Sequence, residues 1–266
     1  GTTLSILLAK KGFQVTLWGA FEDNIACIHR RRINEKFLPG IKIPRSIALT
    51  SDLPAAVAKA QLIVLAVPSQ FIRQVVRRLA SLLKAEIPLV SVIKGIETRT
   101  LRRMSEVIHQ ELGRAVKLTV LSGPTIALEV ARGIPTTAVV SSLDTRLAES
   151  VQHVFITGRF RVYTNSDVVG VELGGSLKNI IAIACGISDG LGFGTNTKAA
   201  LLARGLAEMS RLGMAMGAKK ETFSGISGLG DLVTTCISQH SRNRFVGEQI
   251  GKGKKLKDVL SRMDMV

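Results

Sequence analysis

Leu62-Ile63-Val64-Leu65-Ala66-Val67-Pro68 is the stretch on which the fold turns. Six apolar residues run without a polar break, and the proline that closes them can extend neither a helix nor a ladder. A strand with one wet face alternates, so an unbroken run of this length reads as a strand buried on both faces. The same grammar repeats on either side. Residues 13–18 and 88–93 read as strands, as do 117–121 and 136–141. Between them, residues 21–33, 69–83 and 100–112 carry apolar positions at helical spacing, the last after a turn at Gly95. Buried strands separated by helices predict a parallel sheet covered on both faces.

The alternation stops near Asn165, and from Asp167 onward only helical patterns follow, with long ones over residues 168–188 and 197–216. The expected class is therefore α/β, a Rossmann-like doubly wound parallel sheet over residues 1–164 followed by an all-α second domain over residues 165–266. A long helix starting at that boundary is expected to turn Lys178 toward an interdomain cleft, a common place for ligands. Residues 1–13 look like the helix that follows a dinucleotide-binding turn, with Gly1 as the last glycine of G-x-G-x-x-G. Any amphipathic helix after a glycine would look similar. The strand at residues 13–18, at the right distance, gives the reading its weight.

A formal charge of +16 attracts nucleic acid, anionic membrane surfaces and anionic small molecules alike. One Trp, one Tyr and nine Phe, none interleaved with a basic run, argue against single-strand binding. The runs Arg30-Arg31-Arg32 and Lys252 to Lys257 sit in helical patterns, where a solvated face is the plain reading. Cys27, Cys185 and Cys236 are odd in number and widely spaced, so neither a disulfide framework nor a metal site is expected, and the reducing cytosol is the expected compartment. The apolar runs fall short of the ~18 residues of a membrane span, so no integral membrane association is expected.

The chemistry gathers at Val171-Glu172-Leu173-Gly174-Gly175-Ser176-Leu177-Lys178-Asn179, where a lysine enters a run containing Ile180, Ile181 and Ile183. Such a lysine either snorkels to water or stays in a pocket, where desolvation suits it to acid/base work. Two polar clusters follow, Gly228-Leu229-Gly230-Asp231 and Ser241-Arg242-Asn243. Asp231 after its glycine could equally be a helix N-cap, and Arg242 and Arg244 could be surface charges on a helix capped by Ser241. Phe71 could be a core ring and Gly123 a turn glycine.

With Val92-Ile93-Lys94-Gly95-Ile96-Glu97, the Ser122-Gly123-Pro124-Thr125 turn, the Lys178 helix, Ser188-Asp189-Gly190-Leu191-Gly192-Phe193-Gly194 and the two clusters in one order, the chain closely resembles the bacterial NAD(P)-dependent glycerol-3-phosphate dehydrogenases over nearly its whole length. The resemblance implies hydride transfer between NADPH or NADH and dihydroxyacetone phosphate, giving sn-glycerol 3-phosphate for glycerophospholipid synthesis in the cytoplasm. It makes Lys178 the catalytic acid/base, with Asp231 and Thr235 holding it. Lys94, Gly123, Thr125, Ser241, Arg242 and Asn243 would join these three in binding substrate, the last three at its phosphate, for which an arginine fork is suited. Gly1, Phe71, Lys94, Ala127, Arg242 and Val266 would contact the cofactor, and a second ammonium at Lys94 would help stabilise a developing alkoxide. The resemblance leaves room for a homodimer without fixing the assembly.

Two departures stand out. Gly19-Ala20-Phe21 occupies the place where an acid would hold the ribose of NAD, and this absence, with Arg30 to Arg32 nearby, tilts the expectation toward NADPH. The strand and glycines before Gly1, and a helical segment after Val266, are expected in the family, so the chain reads as a fragment lacking both termini. The alternatives are another lysine-dependent Rossmann and helical dehydrogenase, of the 6-phosphogluconate or beta-hydroxyacid type, or a non-enzymatic nucleotide- or nucleic-acid-binding protein. The phosphate cluster favours a phosphorylated triose.

Overall fold

The computed structural model describes every residue except 85, 114, 262 and 264–266. The chain divides into two compact units, one of residues 1–121 and 125–166, the other of residues 122–124 and 167–266.

The first unit runs α1 (Thr2–Lys10), β1 (Thr16–Trp18), α2 (Glu22–Arg31), β2 (Ile33–Asn34), β3 (Leu38–Lys42), β4 (Ala48–Thr50), α3 (Leu53–Val57) and β5 (Ile63–Leu65). A 3-10 turn over Ser69–Phe71 then leads into α4 (Ile72–Ala80), followed by β6 (Leu89–Ser91), α5 (Met104–Leu112), β7 (Leu118–Ser122), α6 (Ala127–Ala131), β8 (Thr136–Ser141), α7 (Thr145–Phe155) and β9 (Phe160–Asn165). The main sheet has the order β5-β6-β7-β8-β9, with β5/β6, β6/β7 and β8/β9 parallel. A separate parallel pair joins β1 to β4, Thr16 opposite Ala48. Ile72, Val76 and Leu79 of α4 with Met104, Val107 and Ile108 of α5 cover one face over Leu89 and Leu118. Ala148, Val151 and Phe155 of α7 cover the other, over Val90, Leu121, Ala138 and Val140. Both faces are dry, which is why the strands lack alternation.

The sequence pattern misses the antiparallel pair β2/β3, because Pro39 and Gly40 inside β3 read as a turn. It also places the start of α5 too early. Residues 95–103 instead fold back on themselves through an isolated bridge between Ile96 and Arg103, and the Arg103 N–H donates to Glu106 Oε2 at 2.8 Å to start the helix at Met104.

The second unit contains α8 (Val168–Gly190), α9 (Thr195–Ala215), α10 (Lys220–Ser224), one π-helical turn over Ile226–Gly230, α11 (Asp231–Ile237), α12 (Arg242–Gly251) and α13 (Leu256–Leu260). Asp167 starts α8. Its carboxylate accepts from the Gly170 N–H at 2.9 Å, the Lys219 N–H at 2.8 Å and the Thr222 hydroxyl at 2.7 Å, which ties α8 to the start of α10. Helices α8 and α12 meet backbone to backbone. A Cβ on Gly186 would stand 2.0 Å from the Arg244 carbonyl oxygen, and one on Gly247 would stand 2.1 Å from that of Ile183. Gly190 and Gly251, each four residues further along its helix, repeat the contact. This spacing places small residues on one face, as i and i+4 neighbours.

At 23 residues, α8 is long and apolar enough to cross a membrane by length and composition, which the shorter apolar runs of the sequence did not suggest. Most of its apolar window is buried against the rest of its own unit, the pattern of a central helix.

Candidate active site

Lys178 lies on the buried side of α8 at 6% exposure, while Ile180 two residues on is 65% exposed. Ordinary partitioning is thus reversed: the lysine does not snorkel, and an isoleucine faces water in its stead. Burying an ammonium requires compensation. It comes from α11, where Asp231 Oδ1 accepts from Lys178 Nζ at 2.5 Å and Thr235 Oγ1 accepts at 2.7 Å. Thr235 in turn donates its hydroxyl proton to the Asp231 carbonyl at 2.6 Å, one helical turn back, which aims its lone pairs at the ammonium. Asp231 is therefore the first residue of α11 and a partner of Lys178, not an N-cap.

The approach to Asp231 is built by the π-helical turn, closed by the Gly230 N–H on the Gly225 carbonyl at 3.1 Å. Such turns recur at functional sites. It presses onto α8 because Gly174, one turn before Lys178, has no side chain: a Cβ there would stand 2.5 Å from the Ser227 carbonyl oxygen. Gly123 and Pro124 belong to this unit, and Pro124 Cγ stands 3.8 Å from where a Gly230 Cβ would be.

Ser241 does cap α12, its Oγ accepting from the Arg244 N–H at 3.2 Å. Arg242 and Asn243 then occupy the first turn, where backbone N–H groups point out of the helix end and favour an anion. Arg244 is not a surface charge. Its Nε donates to Asp189 Oδ2 at 2.8 Å, and Lys198 Nζ holds Asp189 Oδ1 at 2.6 Å.

In the first unit, the expected contacts follow the carboxyl ends of successive strands: Phe71 after β5, Lys94 after β6 and Thr125 after β7. Ligands bind parallel sheets at that edge. Phe71 is 53% exposed, which removes it from the core. Gly1 N-caps α1 beside Ala66, just beyond β5, with a Cβ position 3.7 Å from Ala66 Cβ. Thr3 Oγ1 donates to the Ala127 carbonyl at 3.2 Å, joining the starts of α1 and α6. Val266 lies outside the described residues.

Arg30 to Arg32 fall at the C-terminal end of α2, roughly 12–15 Å by helical rise from the Gly19-Ala20-Phe21 loop at its other end. Arg32 moreover donates to the Ile47 carbonyl at 2.9 Å. Arg30 nevertheless lines a recess with Glu22, Thr50 and Ser51, beside the loop whose Gly19 N–H donates to the Thr50 carbonyl at 3.1 Å.

Several partners are invisible in the sequence because they meet only on folding. Cys185 and Cys236, distant in the chain, face each other between α8 and α11, and their hydrogen bond together with burial pushes the Cys236 thiol up. Arg73 of α4 forks onto Glu97, just past Lys94, and that guanidinium with the Thr100 hydroxyl pulls the Glu97 carboxyl down to about 2. A depressed carboxylate stabilises the fold above its unfolded value, and the benefit disappears as pH falls through the folded one. Glu97→Gln is therefore expected to flatten the fall in Tm between pH 4.5 and about 2, read by circular dichroism melts across that window. A slope equal to that of the parent would remove the ion pair from the acid response. Among the described residues, no three His, Cys, Asp or Glu side chains gather as a metal site.

Against known proteins, residues 1–148 match the family model of the NAD-dependent glycerol-3-phosphate dehydrogenase N-terminus, and residues 167–266 match that of its C-terminus. A glycerol-3-phosphate dehydrogenase (NAD(P)+) of Pelotomaculum thermopropionicum is 54% identical, the match covering 100% of this chain and 76% of the relative. One from Chlorobium luteolum is 50% identical over 100% of this chain and 80% of its own. The crystal structure of glycerol-3-phosphate dehydrogenase from Coxiella burnetii superposes with a TM-score of 0.96 at 39% identity, covering 100% of this chain and 81% of that one.

Proposed function

The chain belongs to the NAD-dependent glycerol-3-phosphate dehydrogenase family, and from that membership we propose that Lys178 is the proton donor and acceptor of its reaction. The activity is that of an NAD(P)-dependent glycerol-3-phosphate dehydrogenase, an oxidoreductase. The observation that carries the assignment of Lys178 is its buried ammonium, held by Asp231 and Thr235.

When bound, NAD(P)H would supply the hydride for reduction and NAD(P)+ would accept it in oxidation. The start of α1 after Gly1, beside Ala66 at the end of β5, and the placement of Phe71, Lys94 and Thr125 beyond the carboxyl ends of β5, β6 and β7 suit a dinucleotide. In reduction, Lys178 Nζ gives its proton to the carbonyl oxygen of dihydroxyacetone phosphate. In oxidation it takes that proton back from the C2 hydroxyl of glycerol 3-phosphate. Asp231 stabilises the charged form that must be present before donation, and Thr235 fixes the direction of Nζ. Ser241, Arg242 and Asn243 at the start of α12 bind the phosphate, while Lys94, Gly123 and Thr125 contact substrate. Gly1, Phe71, Lys94, Ala127 and Arg242 contact the cofactor, and Val266 is assigned there by resemblance. Supply of glycerol 3-phosphate for lipid synthesis in the cytosol completes the proposal.

Oxidation of NADH and NADPH with dihydroxyacetone phosphate, and reduction of NAD+ and NADP+ with glycerol 3-phosphate compared against 6-phosphogluconate and beta-hydroxyacids, tests the substrate class. Only dihydroxyacetone phosphate and glycerol 3-phosphate should support rapid turnover. Arg242→Lys keeps the charge but loses the fork, so KM for dihydroxyacetone phosphate is expected to rise about 10-fold or more. The effect should shrink for unphosphorylated dihydroxyacetone. Equal changes for both substrates would take Arg242 away from the phosphate.

A further inference from the structure

We propose that Arg73 and Glu97 are positioning residues, which lock the loop carrying Lys94 to the turn carrying Phe71 and so fix both for NAD(P)H. The inference rests on the reading that Lys94 and Phe71 touch the cofactor.

Three observations meet here. Arg73 lies two residues past Phe71, in the first turn of α4, and Glu97 lies three residues past Lys94. Arg73 Nε donates to Glu97 Oε1 and Nη2 to Oε2, both at 2.7 Å, a two-pronged contact that sets angle as well as distance. Both side chains are mostly buried, at 19% and 16% exposure, so this is not the screened surface pair that contributes little.

Independently, the backbone of the Lys94 loop packs directly on the Ser69 side chain. A Cβ on Gly95, next to Lys94, would stand 2.6 Å from Ser69 Oγ and 2.7 Å from Ser69 Cβ, so only glycine lets the loop sit on the Ser69–Phe71 turn. Gly95 also has φ +158, which glycine adopts most readily.

The bridge is itself braced from behind. Arg73 Nη1 donates to Glu111 and Nη2 donates to Gln110 Oε1 at 3.1 Å, both on the last turn of α5. Glu97 is held by its own loop: its N–H donates to the Arg102 carbonyl at 2.9 Å, its carbonyl accepts from the Leu101 N–H at 2.8 Å, and its carboxylate accepts from the Thr100 hydroxyl. Leu101 takes a left-handed φ of +56 while 70% exposed, a conformation a branched side chain adopts only when its surroundings impose it. Residues 94–103 thus form a tightened loop, whose ion pair does more than add stability. What they fix is the position of Lys94 relative to Phe71.

The test measures Kd for NADH and NADPH by fluorescence titration, and kcat and KM for dihydroxyacetone phosphate at saturating cofactor. The variants are Glu97→Gln, Arg73→Lys, Lys94→Ala and the double variant Lys94→Ala/Glu97→Gln, each well below its Tm. Glu97→Gln and Arg73→Lys are expected to weaken cofactor binding about 10-fold and lower kcat by about 10- to 10²-fold, the scale of a misplacement near 1 Å, with KM for dihydroxyacetone phosphate rising no more than it does in Lys94→Ala. In the Lys94→Ala background, Glu97→Gln should add clearly less than it does alone, because the part that acts through Lys94 is already lost and only the part through Phe71 remains. If Glu97→Gln fails to fold, Arg73→Lys carries the comparison. Unchanged cofactor binding and turnover in Lys94→Ala would defeat the underlying reading of Lys94. A damaged Lys94→Ala beside wild-type behaviour in Glu97→Gln and Arg73→Lys, or full additivity in the double variant, would overturn the positioning role.

Discussion

Lys178→Met is expected to lower kcat by about 10²-fold or more, the scale of a lost general acid/base. The substitution keeps the apolar stem and removes the titrating ammonium. It does not leave the fold untouched, because Asp231 at 2% exposure would lose its counter-charge. Breaking a buried pair costs about 3–5 kcal/mol, so urea midpoints must accompany the kinetics. The double variant Lys178→Met/Asp231→Asn separates the two effects. It should recover part of the stability, since no buried charge is left uncompensated, and none of the activity. Recovery of turnover along with stability would show that Lys178 serves packing alone.

Gly186→Ala should produce the largest change in stability of any single methyl in the second unit. Its Cβ would stand 2.0 Å from the Arg244 carbonyl oxygen and 2.8 Å from the Glu248 nitrogen, both main-chain atoms that no rotamer change can move aside. Alanine improves helix propensity by about 1 kcal/mol, but overpacking costs about 1–3 kcal/mol and more where backbone must shift. The clash therefore wins. As α12 is pushed off α8, Arg242 and Asn243 move with it, and KM for dihydroxyacetone phosphate should rise as the urea midpoint falls. Gly158→Ala, where a Cβ meets nothing within 4 Å, is the control. An unchanged midpoint in Gly186→Ala would mean that the two helices do not approach as closely in solution.

These expectations separate what local sequence carries from what it cannot. The strand at residues 62–67 and the helices around it were legible because burial on both faces leaves a continuous apolar signature, and the change to purely helical patterns from Asp167 onward marked α8. Pro39-Gly40 concealed β3, since a short edge strand tolerates residues that usually mark turns. The family motifs pointed to Lys178, Asp231, Thr235 and the start of α12, but not to the inversion that buries Lys178 and exposes Ile180. Arg73 with Glu97 and Asp189 with Arg244 carry no local signal at all, because each pair is completed only when separate elements meet.

The central claim is that Lys178, held charged by Asp231, donates the proton. The pH dependence of kcat/KM for reduction of dihydroxyacetone phosphate tests it most directly, measured for the parent protein and for Asp231→Asn. Donation requires the ammonium, so the parent rate should fall at alkaline pH. The amide no longer favours the charged form, so that fall should move to lower pH in Asp231→Asn. An alkaline limb at the same pH in both proteins, or one that persists unchanged in Lys178→Met, would contradict the assignment of Lys178 as the proton donor.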